Sequence, residues 1–308
     1  MYSKALDFAI LPGEQTSSRT SSGHDYVMVT PAPRFVIIHY HILKNAGTTI
    51  ESILNREFGD DFARLHGADA GSILNPGHAE AFLVGHPPVR ALSSHHLTYP
   101  KPQSSPIVVF DVCFLRDPVQ RLVSFYQHLQ RSGMDDELSL VAARSDLRSF
   151  LKVLARNHPH LANDAQVNRL ANAGAYTRPP NPGDLDKASA IVREASVPGV
   201  VDLFDQSCTA AEYVLAPAFP GIQLHYVKRN VNPESERVAA DPRAALGKTL
   251  FGELQEMNRL DRELVDLARA EVLRRYQLVP DREERLRDFR DRCALAQLAE
   301  RAAWTAGA

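Results

Sequence analysis

Apolar positions along the chain fall into short runs separated by amphipathic stretches. Residues 35–40 (FVIIHY) have the β-branched content and length of a buried strand, and helical spacing begins at 48–58. A second run, PIVVFDVCFL at 106–115, predicts another buried strand. The stretch 118–131 then places Leu122, Phe125, Tyr126 and Leu129 on one helix face. Shorter runs at 81–85 (AFLVG), 200–204 and 223–227 predict further strands. Helical patterns occupy 136–155, 161–172, 184–195, 208–216, 248–277 and 281–302, while 93–105 and 231–247 read as loops. Strands alternating with helices predict an α/β fold of three layers, α/β/α, around a central, mainly parallel sheet. Ligand loops in such a sheet belong at the carboxyl ends of strands.

Three segments follow from the same pattern. Residues 1–33, rich in Ser, Thr and Gly, read as a flexible leader; 34–280 form the folded domain; 281–308 add a C-terminal helix. In that helix Leu286, Phe289, Cys293 and Ala296 recur at helical spacing. That pattern predicts a helix docked on the core, with a homodimer contact as the sharper alternative.

Two strand-to-helix junctions carry candidate chemistry. After the first strand come Lys44, Asn45, Ala46, Gly47, Thr48 and Thr49, a glycine-bearing loop opening a helix. Backbone N–H groups at a helix start gather around one point and favour phosphate or sulfate, and Lys44 adds a charge. The loop is not the nucleotide-triphosphatase type, which places glycines before the lysine and Ser/Thr directly after it. After the second strand come Arg116, Asp117 and Pro118. Asp117 suits an N-cap, Pro118 a first helical position, and Arg116 with Ser124 two turns on suits a phosphate monoester.

Together HILKNAGTT and FLRDPVQRLVSFY resemble the sulfotransferases that use 3′-phosphoadenosine 5′-phosphosulfate (PAPS), especially the glycan-type branch, whose loops read HIPKTGGT(S/T) and FLRDPxxRxxS. Residues 92–95 are similar to its (I/L)SGH segment and 163–174 to its NxQxxxLxG helix. The blocks 201–214, 228–233 and 260–270 also look alike, so the resemblance covers about 35–276. It implies a P-loop-like sulfotransferase fold and transfer of a sulfuryl group from PAPS to an acceptor hydroxyl on a sugar, glycolipid or small metabolite. Lys44, Asn45, Ala46, Gly47, Thr48 and Thr49 would hold the 5′-phosphosulfate, and Arg116 and Ser124 the 3′-phosphate. Lys44 would also stabilise the bridging oxygen, and His95 or His96 would be the general base, with no metal required. Arg121 would hold its loop, and Lys228-Arg229 could close over the adenosine phosphate. Leu43 stands where the family has proline and Ser94 where it has glycine. Two rival readings are a P-loop nucleotide kinase or hydrolase, and a non-catalytic nucleotide-binding relative. The kinase reading needs a magnesium-binding carboxylate after a strand, and Asp111 lies within one.

Composition narrows the field. At 308 residues, 44% hydrophobic and 23% charged, the chain is ordinary for a globular protein, and a net charge of −2 argues against a nucleic-acid binder. Cys113, Cys208 and Cys293 lack disulfide or metal spacing, as do His66, His78 and His86. His39 and His41 share a strand face and suggest metal binding, but His41 matches the histidine that precedes the loop in the family it resembles, which implies a structural role. No apolar run reaches about 18 residues, so no membrane span is expected, and a cytoplasmic location is the simplest expectation.

Overall fold

The computed structural model describes residues 33–228 and 240–307, apart from 70, 105 and 134. The leader proposed for 1–33 thus lies, but for its last residue, outside the described residues. Five strands, β1 (Arg34–Tyr40), β2 (Phe62–Arg64), β3 (Ala91–Ser94), β4 (Ile107–Leu115) and β5 (Val197–Val200), form one sheet. Their order is β2-β3-β1-β4-β5 and every pairing is parallel. Helices α1 (Gly47–Phe58), α2 (Pro76–Gly85), α3 (Pro118–Ser132), α4 (Glu137–Arg144), α5 (Leu147–Asn157), α6 (Pro159–Ala162), α7 (Ala165–Ala171), α8 (Pro182–Glu194) and α9 (Phe204–Leu215) follow in chain order. Four more come after position 240: Pro242–Leu246, Lys248–Met257, Arg259–Gln277 and Arg282–Gly307.

The three layers follow from side-chain alternation along the strands. Ile37 points to one face, where Ile50, Ile53 and Leu54 of α1 pack with Cys208 of α9 and Phe289 of the last helix. Val36, Ile38 and Tyr40 point to the other, against Ala79 and Leu83 of α2. On that second face Cys113 and Leu115 of β4 meet α7, α8 and the Arg259–Gln277 helix. A satellite core under α3 joins Leu122, Phe125 and Leu129 to Phe150, Leu154 and Leu250. Both faces of a parallel sheet are therefore covered, as apolar central strands require.

The last helix docks through Leu286 and Phe289, and Arg292 grips Glu212 of α9 with two bonds of 2.9 and 2.8 Å. No helix among the described residues is long and apolar enough to cross a membrane.

Several expected elements come out differently. Residues 81–85 belong to α2, not a strand, because Asn75 caps that helix, accepting from the His78 N–H, with Pro76 at its first turn. The loop expected from 93 begins two residues later, since Ser93 and Ser94 complete β3. The helix expected at 136–155 breaks at Ser145-Asp146, where the Asp146 carboxylate caps α5. The strand expected at 200–204 lies at 197–200, and 223–227 forms no strand. Within the expected loop 231–247, residues 242–246 are helical and 231–239 lie outside the described residues.

Candidate active site

The sheet order reverses between β1 and β4, and this crevice holds both candidate loops. The first leaves β1 and turns into α1 through two left-handed residues, Lys44 (φ 67°) and Ala46 (φ 61°). Such residues alternating with ordinary ones turn successive N–H groups inward. A left-handed non-glycine residue costs roughly 1–2 kcal/mol, so surrounding contacts must enforce it. Asn45 supplies them: its side-chain amide donates to the Phe114 carbonyl at 2.9 Å and to Gln166 Oε1 at 2.8 Å. Its side chain is thus turned inward, and its N–H closes a turn on the Ile42 carbonyl. Gly47 must be glycine for packing: a Cβ there would sit 1.9 Å from the His41 ring.

Side-chain oxygens cap α2, α3, α4, α5 and α8, whereas α1, like α6, α7 and α9, has no side-chain cap. At the α1 start the Thr49 N–H turns back to the Ala46 carbonyl at 2.9 Å, the Thr48 side chain is exposed and Thr49 is half-buried.

The second loop closes the opposite wall. Asp117 caps α3, its carboxylate accepting from the Gln120 N–H at 2.9 Å, and Pro118 opens the helix as expected. Arg116 reaches across the crevice, donating from Nη1 to the Lys44 carbonyl at 3.3 Å, while its buried Nε has no partner. Ser124 is half-buried on α3, with His128 and Arg131 at helical spacing on its face. Burial, then the charges of Arg116 and Arg131, lowers the Lys44 pKa to about 8. Every charge that shifts Lys44 is a cation, the setting an anion would relieve.

Gln166 joins the two loops. Fully buried on α7, it accepts from Asn45 and from the Arg116 N–H (3.0 Å), and donates to the Arg116 carbonyl (2.8 Å). Asp261, on the Arg259–Gln277 helix, holds it in turn, taking the Gln166 and Val167 N–H groups at 2.8–3.1 Å. Burial raises the Asp261 carboxyl, and the Arg121 charge opposes the rise. Arg121 is buried and donates to the Leu161 carbonyl at 2.6 Å, holding the α6 turn. Gln166 and Asp261 escaped sequence reasoning as site residues, although both lie in segments that resemble the family.

The histidines meet beside the cradle. The His41 and His95 rings lie 3.6 Å apart, centre to centre, and His41 also stacks on His39 at 5.1 Å. His41 Nδ1 bonds Glu51 Oε1 at 3.0 Å, and Glu51 also accepts from Ser93 Oγ (2.9 Å) and Arg64 Nε (2.8 Å). Burial alone would raise the Glu51 carboxyl, but the hydrogen bonds from His41, Arg64 and Ser93 carry it well below the usual carboxylate range. His95 Nδ1 sits 3.1 Å from the His41 carbonyl, and Arg169 clamps the His95 and Leu97 carbonyls. Burial, then His41, lowers the His95 pKa to about 4, so the ring is neutral near pH 7. His96 turns away, its Nδ1 accepting from the Gly67 N–H at 2.7 Å.

His41, Glu51 and His95 each offer an atom within 4.8 Å of the others, a grouping that could hold a metal ion. Glu51 there already accepts three donors, one of them a guanidinium. Asp111, the carboxylate a magnesium-dependent reading would need, is 2% exposed and taken up by Tyr99, Lys101 and Ser196. The Lys228 N–H donates to Gln297 on the last helix, and Arg229 lies outside the described residues.

Residues 27–176, which span both loops, His95 and Gln166, match the model of the Sulfotransferase family. An uncharacterized protein of Archaeoglobus fulgidus is 25% identical over 241 residues, 74% of this chain and 93% of its own length. The helix start behind Lys44 and the arginine crossing from the neighbouring strand lie within the residues over which the chain is similar to the Sulfotransferase family.

Proposed function

We propose that the chain moves the sulfuryl group of PAPS to an acceptor hydroxyl, with His95 as general base. The observation that carries this is the convergence of Lys44, the open α1 start and the unpartnered Arg116 Nε in one crevice. The residues suit the donor. Backbone N–H groups and Lys44 would bind the 5′-phosphosulfate, with Thr48 and Thr49 beside them. Arg116 and Ser124 would take the 3′-phosphate, a group that adenosine di- and triphosphates lack. Lys44, protonated below about pH 8, would neutralise charge developing on the leaving oxygen as the S–O bond breaks.

Proton logic favours His95 over His96 as the base. A carbonyl only accepts, so the His95 nitrogen facing the His41 carbonyl carries the proton and Nε2 keeps a lone pair. His96 Nδ1 accepts from a backbone N–H, so its proton sits on Nε2 and no free lone pair remains. In the step, His95 Nε2 takes the hydroxyl proton, the acceptor oxygen bonds sulfur, and adenosine 3′,5′-bisphosphate departs. The acceptor as a carbohydrate or glycolipid rests on the resemblance alone.

The test is transfer of radiolabelled sulfuryl from PAPS to a panel of sugars, glycolipids and hydroxylated metabolites. Label should reach at least one acceptor with stoichiometric release of adenosine 3′,5′-bisphosphate, and His95→Asn should abolish it while His96→Asn does not. Retained transfer in His95→Asn would overturn the assignment of the base.

A further inference from the structure

We propose that Glu51 is a positioning residue for the reaction: through His41 it fixes the ring and proton placement of His95 and ties that geometry to the helix that opens the cradle. The proposal rests on reading His95 as the base and adds a residue that neither motif contains.

The chain of contacts is continuous. Ser93 Oγ donates to Glu51, so it accepts from His39 Nδ1, which therefore bears a proton. An ionised Glu51 can only accept, so His41 Nδ1 also bears its proton and donates to Oε1. His41 Nε2 lies against Gly47 at the floor of the cradle. With the ring pinned at both edges, the His41 carbonyl and ring face together hold His95: one accepts its Nδ1–H, the other stacks on it. Arg64 occupies the second Glu51 oxygen and fixes the carboxylate plane.

Placement explains why a carboxylate serves here. Glu51 stands one turn into α1, whose first turn is the anion site, so one helix carries the donor-binding N–H groups and the brace for the base. A shift of that helix on donor binding moves both together. Glu51 also places a negative charge beside the His95 ring, opposing the effect of His41 and favouring the imidazolium formed when the acceptor proton arrives. It is not itself a base, since its hydrogen bonds hold it ionised and its lone pairs are engaged. The metal reading of the same three residues fits less well, because a cation would have to displace His41 and share Glu51 with Arg64.

The test uses the full chain and two readouts. Steady-state kinetics on Glu51→Gln and Glu51→Ala should show kcat falling about 10-fold and about 100-fold, part of the 10²–10⁴ a general base supplies. The donor KM and the affinity for adenosine 3′,5′-bisphosphate should stay within about 2-fold, which also shows that the variants fold. Long-range proton–nitrogen NMR on histidine-labelled protein should show His95 as the Nδ1–H form at pH 7, becoming a mixture of tautomers in Glu51→Ala and less so in Glu51→Gln. Loss of donor affinity with unchanged kcat would overturn the proposal and leave Glu51 as a brace for the cradle alone. So would an unchanged His95 tautomer in Glu51→Ala. If His95→Asn turns over normally, the assignment of the base fails first, whatever Glu51 does.

Discussion

Asp111 and Glu51 are both carboxylates lodged against the central sheet, and each gathers a polar cluster. Around Asp111 the network closes on itself: Tyr99 and Lys101 share its oxygens with the Ser196 N–H and hydroxyl. Around Glu51 the network is left open. Its donors are satisfied, yet it ends in His95, whose Nε2 is free, beside a cradle whose Lys44 is surrounded by cations. The difference separates a cluster that holds the fold from one that, under the proposed function, holds a reaction. A closed network leaves nothing for a substrate to complete; an open one has a lone pair and a charge deficit aimed at the same crevice.

Lys44→Ala and Asp111→Ala should break this comparison in opposite directions. Removing Lys44 should lower kcat by about 10³, as when a developing oxyanion loses a donor. Thermal stability should hold or rise, because a half-buried cation leaves the company of Arg116 and Arg131. Removing Asp111 should destabilise by about 1–3 kcal/mol, since the Ser196 N–H, the Tyr99 hydroxyl and the half-buried Lys101 lose their acceptor, with kcat per folded molecule unchanged. Urea unfolding and initial rates on both variants check this pair.

Arg116→Ala should weaken adenosine 3′,5′-bisphosphate binding by about 2–3 kcal/mol, in the range of charge-assisted bonds, while leaving adenosine 5′-phosphate affinity unchanged. Calorimetric titration of both nucleotides reads the difference.

The pH profile sharpens the contrast further. For the free protein, kcat/KM should lose activity below about pH 4, where His95 takes its proton, and above about pH 8, where Lys44 loses its own. An exposed histidine base would place the acid limb at about 6.5 instead. Asp164 gives a stability counterpart. Burial raises its pKa to about 7, so the folded state binds this proton more tightly than the unfolded chain. The resulting contribution is present at low pH and lost as pH rises through about 7. Asp164→Asn should therefore raise Tm by a few degrees at pH 8 and change little at about pH 3, below the ordinary carboxylate range, as scanning calorimetry at the two values would show.

The smallest expected effect lies at Ala46. Ala46→Gly should stabilise by about 0.5–1 kcal/mol, because the left-handed strain is relieved while the unfolded chain gains freedom. Chemical denaturation resolves a shift of that size.

How much of this could be read from the chain depends on how local each signal is. The two loops were legible because lysine, glycine and threonine lie together after an apolar strand, and because Asp117-Pro118 is a helix start in two residues. The strand Ala91–Ser94 was missed, since its small and polar residues are buried by neighbours rather than by their own character. The run at 81–85 misled because four apolar residues suit a strand or a buried helix equally, and the Asn75-Pro76 cap decided the matter. Gln166 and Asp261 act together across 95 positions, a distance no periodicity spans. His95 and His96 could not be told apart as neighbours on a loop. Their roles divide only when the His41 carbonyl and the Gly67 N–H assign their protons.

Under the proposed function the crevice between β1 and β4 binds a 3′-phosphorylated nucleotide, which ligand-dependent thermal stability would reveal. Adenosine 3′,5′-bisphosphate at 100 times its dissociation constant should stabilise the chain by about 2.7 kcal/mol, and at the same concentration the effect should fall below about 1 kcal/mol in Arg116→Ala. Adenosine 5′-phosphate, ADP and ATP with magnesium should produce little. Stabilisation by ATP with magnesium, and none by the 3′-phosphorylated nucleotide, would contradict the account.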